Sequence, residues 1–167
     1  MVGIKPIETG YKGYLFRSRL EARWAVFFDT LGLEWVYEAE GFEFENGTRY
    51  LPDFWLPQVK MWAEVKANRF TPEERWKAEM IAVGTGFPVL MLIGVPENKP
   101  YWAVERDGSG EVGTCDYCLT MYHGYPVSEG RFYCMPGDYS PDGDAYWDDT
   151  EAAATAARSA RFGERRR

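Results

Sequence analysis

The sequence predicts a mixed β-sheet flanked by helices, an α/β or α+β sandwich with a zinc-knuckle-like Cys/His appendage and a C-terminal helix. Three observations predict it. A helix-spaced apolar face near the N-terminus is followed by several strand-like segments, a second helix and further strands. Apolar residues make up 46% and aromatic residues 17% of the 167 residues, enough to fill a sizeable core at this length. All three cysteines and the only histidine fall within one short stretch poor in aliphatic side chains.

Each element has a local reason. Ser18 suits a helix cap, Leu20, Trp24, Phe27 and Leu31 recur at helical spacing, and Gly32 ends the run. Residues 34–38 and 41–45 read as strands, and Asn46-Gly47 is a strong hairpin signal between 41–45 and 49–56. Pro52 marks an edge or an irregularity in that last strand. Residues 61–66 alternate and read as the next strand. Thr71-Pro72-Glu73-Glu74 opens a helix predicted to run to about Val83, with proline in the first turn and acids at the positive end of the dipole. Residues 88–93 form a continuous apolar run suited to a strand buried on both faces, and 101–104 to one more strand. Residues 108–149 are rich in Gly, Pro, Tyr and Asp without a period, and 151–161 are alanine-rich and helical. The expected organisation is a core over 1–107, a Cys/His and acidic region over 108–149, and a helix with a basic tail over 150–167.

Charge narrows the function classes. The net charge of −7 gives no global attraction to nucleic acid. Its distribution is uneven: residues 81–150 carry three Lys/Arg against eleven Asp/Glu, whereas residues 1–80 carry eleven against thirteen. The first half therefore has enough cations for a local groove. The arginines of the tail read equally as a solvated end or as a contact to DNA. No apolar run reaches the roughly 20 residues of a membrane span, and the N-terminus lacks the apolar stretch of a signal peptide. The expectation is a soluble intracellular chain with no membrane partner.

Three short pieces carry the chemistry. Glu21 lies on the first helix, Asp53 follows Pro52 in an apolar strand, and Glu64-Val65-Lys66 lies on the next strand. Alternate residues of a strand share a face, so Glu64 and Lys66 point the same way. Charged residues set between Leu51 and Phe54-Trp55, and between Trp62 and Val65, are rarely decoration. The bland reading is ordinary salt bridges. The sharper one is a site with acids and one amine, in which carboxylates hold Mg²⁺ and the lysine orients water or offsets developing charge.

Pro52-Asp53, ten residues, then Glu64-Val65-Lys66 resembles the PD-(D/E)XK motif of the restriction-endonuclease-like nucleases. The upstream Glu21 and the segment Phe16 to Ala25 are also similar to small phage-type nucleases, and the spacing to Holliday-junction resolvases of the T7 endonuclease I type. The resemblance covers roughly residues 11–105. It implies a restriction-endonuclease-like fold and a metal-dependent DNA endonuclease active in phage or mobile-element recombination, repair or DNA processing, within the cytoplasm of a bacterial host. It implies that Asp53, Glu64 and the Val65 carbonyl hold Mg²⁺ (or Mn²⁺), that Glu21 holds the same or a second ion, and that Lys66 positions the attacking water. Because such resolvases cut two strands, it implies a homodimer. Asn68 and Arg69 follow the motif and suit phosphate contacts, and Lys12, Arg17, Arg19 and Arg23 flank Glu21 and suit a DNA groove. For these six a solvated, paired face is an equal alternative.

Cys115, Cys118, His123 and Cys134 form a C-x2-C-x4-H-x10-C pattern. Thiolates and imidazole are the ligands Zn²⁺ prefers, so a structural zinc is expected, although the second C-x2-C of a common ribbon is missing. Asp138 to Asp149 resembles a calcium loop, but Pro141 lies inside it and no helix precedes it, so it reads as a solvated acidic loop. Two rivals to the nuclease stand: a non-catalytic nucleic-acid- or protein-binding module of the same fold, and a zinc-centred domain whose acidic surface binds a basic partner.

Overall fold

The computed structural model describes residues 6–97, 101–106, 112–117 and 143–163. Its first element was not expected from the sequence. Strands β1 (Thr9–Tyr11) and β2 (Tyr14–Phe16) form an antiparallel hairpin across Lys12-Gly13, both at positive φ. That is the backbone a two-residue turn needs to match strand twist. Lysine in place of asparagine hides the signal.

Helix α1 (Arg19–Thr30) starts where expected: the Ser18 hydroxyl accepts from the Glu21 N–H, satisfying one of the free donors of the first turn. The next segments pair more briefly than their composition suggests. β3 is only Val36–Tyr37, and β4 (Phe42–Glu43) pairs with β5 (Arg49–Tyr50) as a separate ribbon around Asn46-Gly47. The predicted strand over 49–56 is broken at Leu51-Pro52-Asp53, and β6 resumes at Phe54–Leu56. Proline cannot donate to a ladder, so the interruption falls where Pro52 marks it.

β6 leads into β7 (Met61–Lys66), then α2 (Pro72–Thr85) and β8 (Val89–Ile93). Thr71 and Glu74 make a reciprocal capping box at the start of α2, and Gly86 ends it at φ 74°, a conformation glycine adopts without steric cost. β9 (Tyr101–Arg106) and β10 (Val112–Tyr117) follow, and α3 (Gly143–Ser159) is the last helix. The main sheet has the order β10-β9-β8-β7-β6-β3, with β7 and β8 parallel through the α2 crossover and the other pairs antiparallel. The mixed α/β class holds. β10 carries the sheet past residue 107, so its last strand lies in the segment assigned to the Cys/His region. α3 begins eight residues before the expected start, and Gly143 to Asp149 are helical rather than a loop. Among the described residues, no helix is long and apolar enough to cross a membrane.

Both faces of the sheet are covered. On one face Ala63, Val65, Leu90 and Leu92 pack with Trp24, Phe27 and Phe28 of α1 and with Ala153, Ala154 and Ala157 of α3. On the other, Trp62, Val89 and Met91 pack with Ala78, Ile81 and Ala82 of α2. β7 is therefore buried from Met61 to Val65, although its sequence alternates like a half-exposed strand. The charged residue in that alternation, Glu64, is buried in the layer between sheet and α2, and this places the site.

Candidate active site

The site is built from four local decisions. Ser18 starts α1, so Glu21 sits in its first turn with its backbone N–H capped. The Ser18 and Tyr37 hydroxyls donate to Glu21 Oε1 and Oε2 at 2.7 and 2.5 Å, which fixes the carboxylate. The break at Pro52 leaves Asp53 just ahead of β6, where the Val65 N–H donates to Asp53 Oδ2 at 2.7 Å. The alternation of β7 puts Glu64 and Lys66 on one face, with Lys66 Nζ 2.8 Å from Glu64 Oε1. Glu74, the capping-box residue of α2, lies 3.4 Å from the same ammonium.

These residues share an open cleft of about 830 Å³, whose lining includes Arg17, Glu21, Asp53, Glu64, Val65 and Lys66. Glu21, Asp53 and Glu64 are all buried. Burial, and then the charges of Glu64 and Glu21, push the Asp53 carboxyl well above the usual carboxylate range, against the Val65 N–H and Arg17, which lower it. Burial alone would lower Lys66, but Glu64, Asp53 and Glu74 outweigh it and hold the amine above its ordinary value. Lys66 is thus an ammonium, a donor rather than a base. Burial and then Glu64 also raise the Tyr50 phenol.

Two polar atoms of this cleft, Glu64 Oε2 and the Tyr50 hydroxyl, are buried without a well-formed hydrogen bond, and the Tyr50 phenol lies close enough to Glu64 for a weak side-chain hydrogen bond to add to its rise. A buried carboxylate oxygen without a full hydrogen bond costs free energy that a cation or a donor would relieve. Hard oxygen donors on Glu21, Asp53 and Glu64 with one oxygen left over fit the chemistry of Mg²⁺ or Mn²⁺. Among the described residues, no three Asp, Glu, His or Cys side chains close around one point. Arg17 stands among these acids, its guanidinium paired with Asp53 and Glu38 and 4.0 Å from Glu21.

The sequence-predicted residues divide. Glu21, Asp53, Glu64, Val65, Lys66 and Arg17 meet in the cleft. Arg19, Asn68 and Arg69 are exposed but do not line it. Lys12 is paired with Asp29 beside a second, smaller cleft, and Arg23 donates to the Ala157 and Arg158 carbonyls at the end of α3. Arg23 holds two helices together rather than facing the cleft. Cys115 lies on β10, whereas Cys118, His123 and Cys134 lie outside the described residues. Sequence reasoning missed Tyr37, Glu38, Arg49, Tyr50, Glu74 and Lys77. Glu74 was legible from its capping box, but the others come from segments with no motif of their own.

Comparisons with protein-family models, curated proteins and solved structures gave no match. What the site does is therefore argued from its residues.

Proposed function

We propose that the chain is a metal-dependent DNA endonuclease of the restriction-endonuclease-like kind. One observation carries this reading: three buried carboxylates from α1, the Pro52 break and β7 share a cleft with an ammonium, and Glu64 keeps an oxygen without a well-formed hydrogen bond. Asp53, Glu64, the Val65 carbonyl and Glu21 would hold Mg²⁺ or Mn²⁺. When bound, such an ion supplies Lewis acidity to a phosphate and to water. Lys66 donates hydrogen bonds that orient the attacking water and offsets the negative charge that grows on the phosphate. Tyr37 and Ser18 keep Glu21 in one rotamer. Arg49 and Lys77, which also line the cleft, offer cations to a DNA backbone that the overall charge of −7 would otherwise repel.

Branched DNA is the preferred substrate, with a homodimer cutting two strands in a bacterial cytoplasm. A structural zinc on Cys115, Cys118, His123 and Cys134 would tie down the segment after β10. The pairing of Arg17 with Asp53 and of Lys66 with Glu64 favours a second reading, a binding module in which these charges serve only to neutralise each other.

Cleavage of a labelled panel (duplex, single strand, flap and four-way junction) with Mg²⁺ or Mn²⁺ separates the two. Metal-dependent cutting lost in Asp53→Ala is expected. Binding without cutting under either metal would leave the binding module.

A further inference from the structure

Arg17 occupies an unusual position. It follows β2 and precedes the cap of α1, and its side chain is 55% exposed while that of its partner Asp53 is 4% exposed. Arg17 Nη2 donates to Asp53 Oδ1 at 2.5 Å and Nε lies 2.9 Å from Glu38 Oε1. Glu21 Oε2 is 4.0 Å away. An exposed guanidinium therefore plugs a buried carboxylate.

The rest of the local structure holds that plug in place. Glu38 adopts φ 48°, a left-handed conformation that is sterically costly for a non-glycine residue. Its N–H donates to the Asp53 carbonyl at 2.9 Å, so the backbone is pinned with the Glu38 carboxylate beside Arg17. Meanwhile Asp53 Oδ2 accepts from the Val65 N–H and Oδ1 from Arg17, so both oxygens are engaged and Oδ1 is the one held by a cation.

We propose that Arg17 is a built-in counter-cation: it occupies Asp53 Oδ1 and must yield that oxygen when a divalent cation enters the cleft. This rests on reading the cleft as a cation site, which Glu64 Oε2, buried without a well-formed hydrogen bond, supports independently of Arg17. A guanidinium and a divalent cation drawn to the same carboxylate repel each other at short range, so Arg17 and the ion compete for Asp53. Arg17 thus lowers cation affinity while keeping the carboxylates tolerable in the cation-free protein. A guanidinium set free at the cleft is then available to a phosphate.

The test is calorimetric titration of Mn²⁺ into the full chain without DNA, with thermal unfolding in EDTA and in Mn²⁺. Wild type is expected to bind and Asp53→Asn to lose that binding. Arg17→Gln should bind about tenfold tighter, because one competing charge is gone. Its unfolding temperature should fall in EDTA and gain more from Mn²⁺ than wild type does. Arg17→Lys keeps the charge but not the fork, and should lie between the two, which guards against a Gln variant that fails to fold. A residue that only braces the fold would weaken binding on removal. Equal or weaker Mn²⁺ binding in both Arg17 variants, with wild type still binding through Asp53, would overturn the proposal and leave the cation site standing. Absence of Asp53-dependent binding in wild type would overturn both.

Discussion

Lys66 and Glu64 are held together by the two-residue period of β7, and the ammonium is raised, not lowered, by its surroundings. In the proposed nuclease a donor of this kind would act on developing charge. Lys66→Ala is expected to slow single-turnover cleavage by about 10²-fold or more while DNA affinity, read by fluorescence anisotropy, changes little. A binding module would show no such division. Away from the site, Tyr11 donates to Asp29 Oδ2 at 2.8 Å, and burial, then that contact, push its phenol up to about 12. Between pH 10 and 12 the folded chain keeps a proton that the unfolded chain has released, so stability falls as pH rises through that window. The contribution is complete below pH 10. The stability difference between wild type and Tyr11→Phe, from urea unfolding, should shrink steadily from pH 9.5 to pH 12.

The elements show what was legible and what was not. The caps of α1 and α2 carry chemistry that is local, so Ser18, Thr71 and Glu74 announce themselves in sequence. The catalytic candidates were legible for the same reason: Glu21 is fixed by its cap, Asp53 by Pro52, and Glu64 with Lys66 by alternation. Glu38 and Tyr50 were not, because their places depend on which strands meet, and Arg17 was legible only as a cation beside Glu21, not as the partner of Asp53. The β1–β2 hairpin was hidden by a lysine at positive φ, and the first turns of α3 by the Gly, Pro and Asp around them. Gly86 illustrates the opposite, a residue dictated by one torsion. An added Cβ there would meet nothing within 4 Å, so the cost of Gly86→Ala is that of φ 74° alone, about 1 kcal/mol by chemical denaturation.

At the scale of the whole molecule, the sheet separates two cores, with α2 on one face and α1 and α3 on the other, and the cleft draws residues from both sides. α3 presents Ala153, Ala154 and Ala157, all fully buried, to α1 and the sheet. Small residues are what let it approach. Ala157→Leu is expected to lower stability by about 1–3 kcal/mol through overpacking, measured by thermal unfolding, whereas the same change at exposed Ala152 should be nearly silent.

The Arg23 guanidinium reaches the Ala157 carbonyl across 134 residues of chain. Helix α1 carries Glu21, and it leaves the ribosome well before α3. Its partner α3 follows only after roughly 130 further residues, many seconds later at about 5–20 residues per second. Until then the apolar face of α1 has nothing to bury it on that side, and the helix that carries Glu21 is not yet docked against α3. The clock of synthesis thus separates the appearance of the acidic residues from the moment they can act together. A half-made chain would carry every carboxylate of the cleft and yet lack the scaffold that aims them.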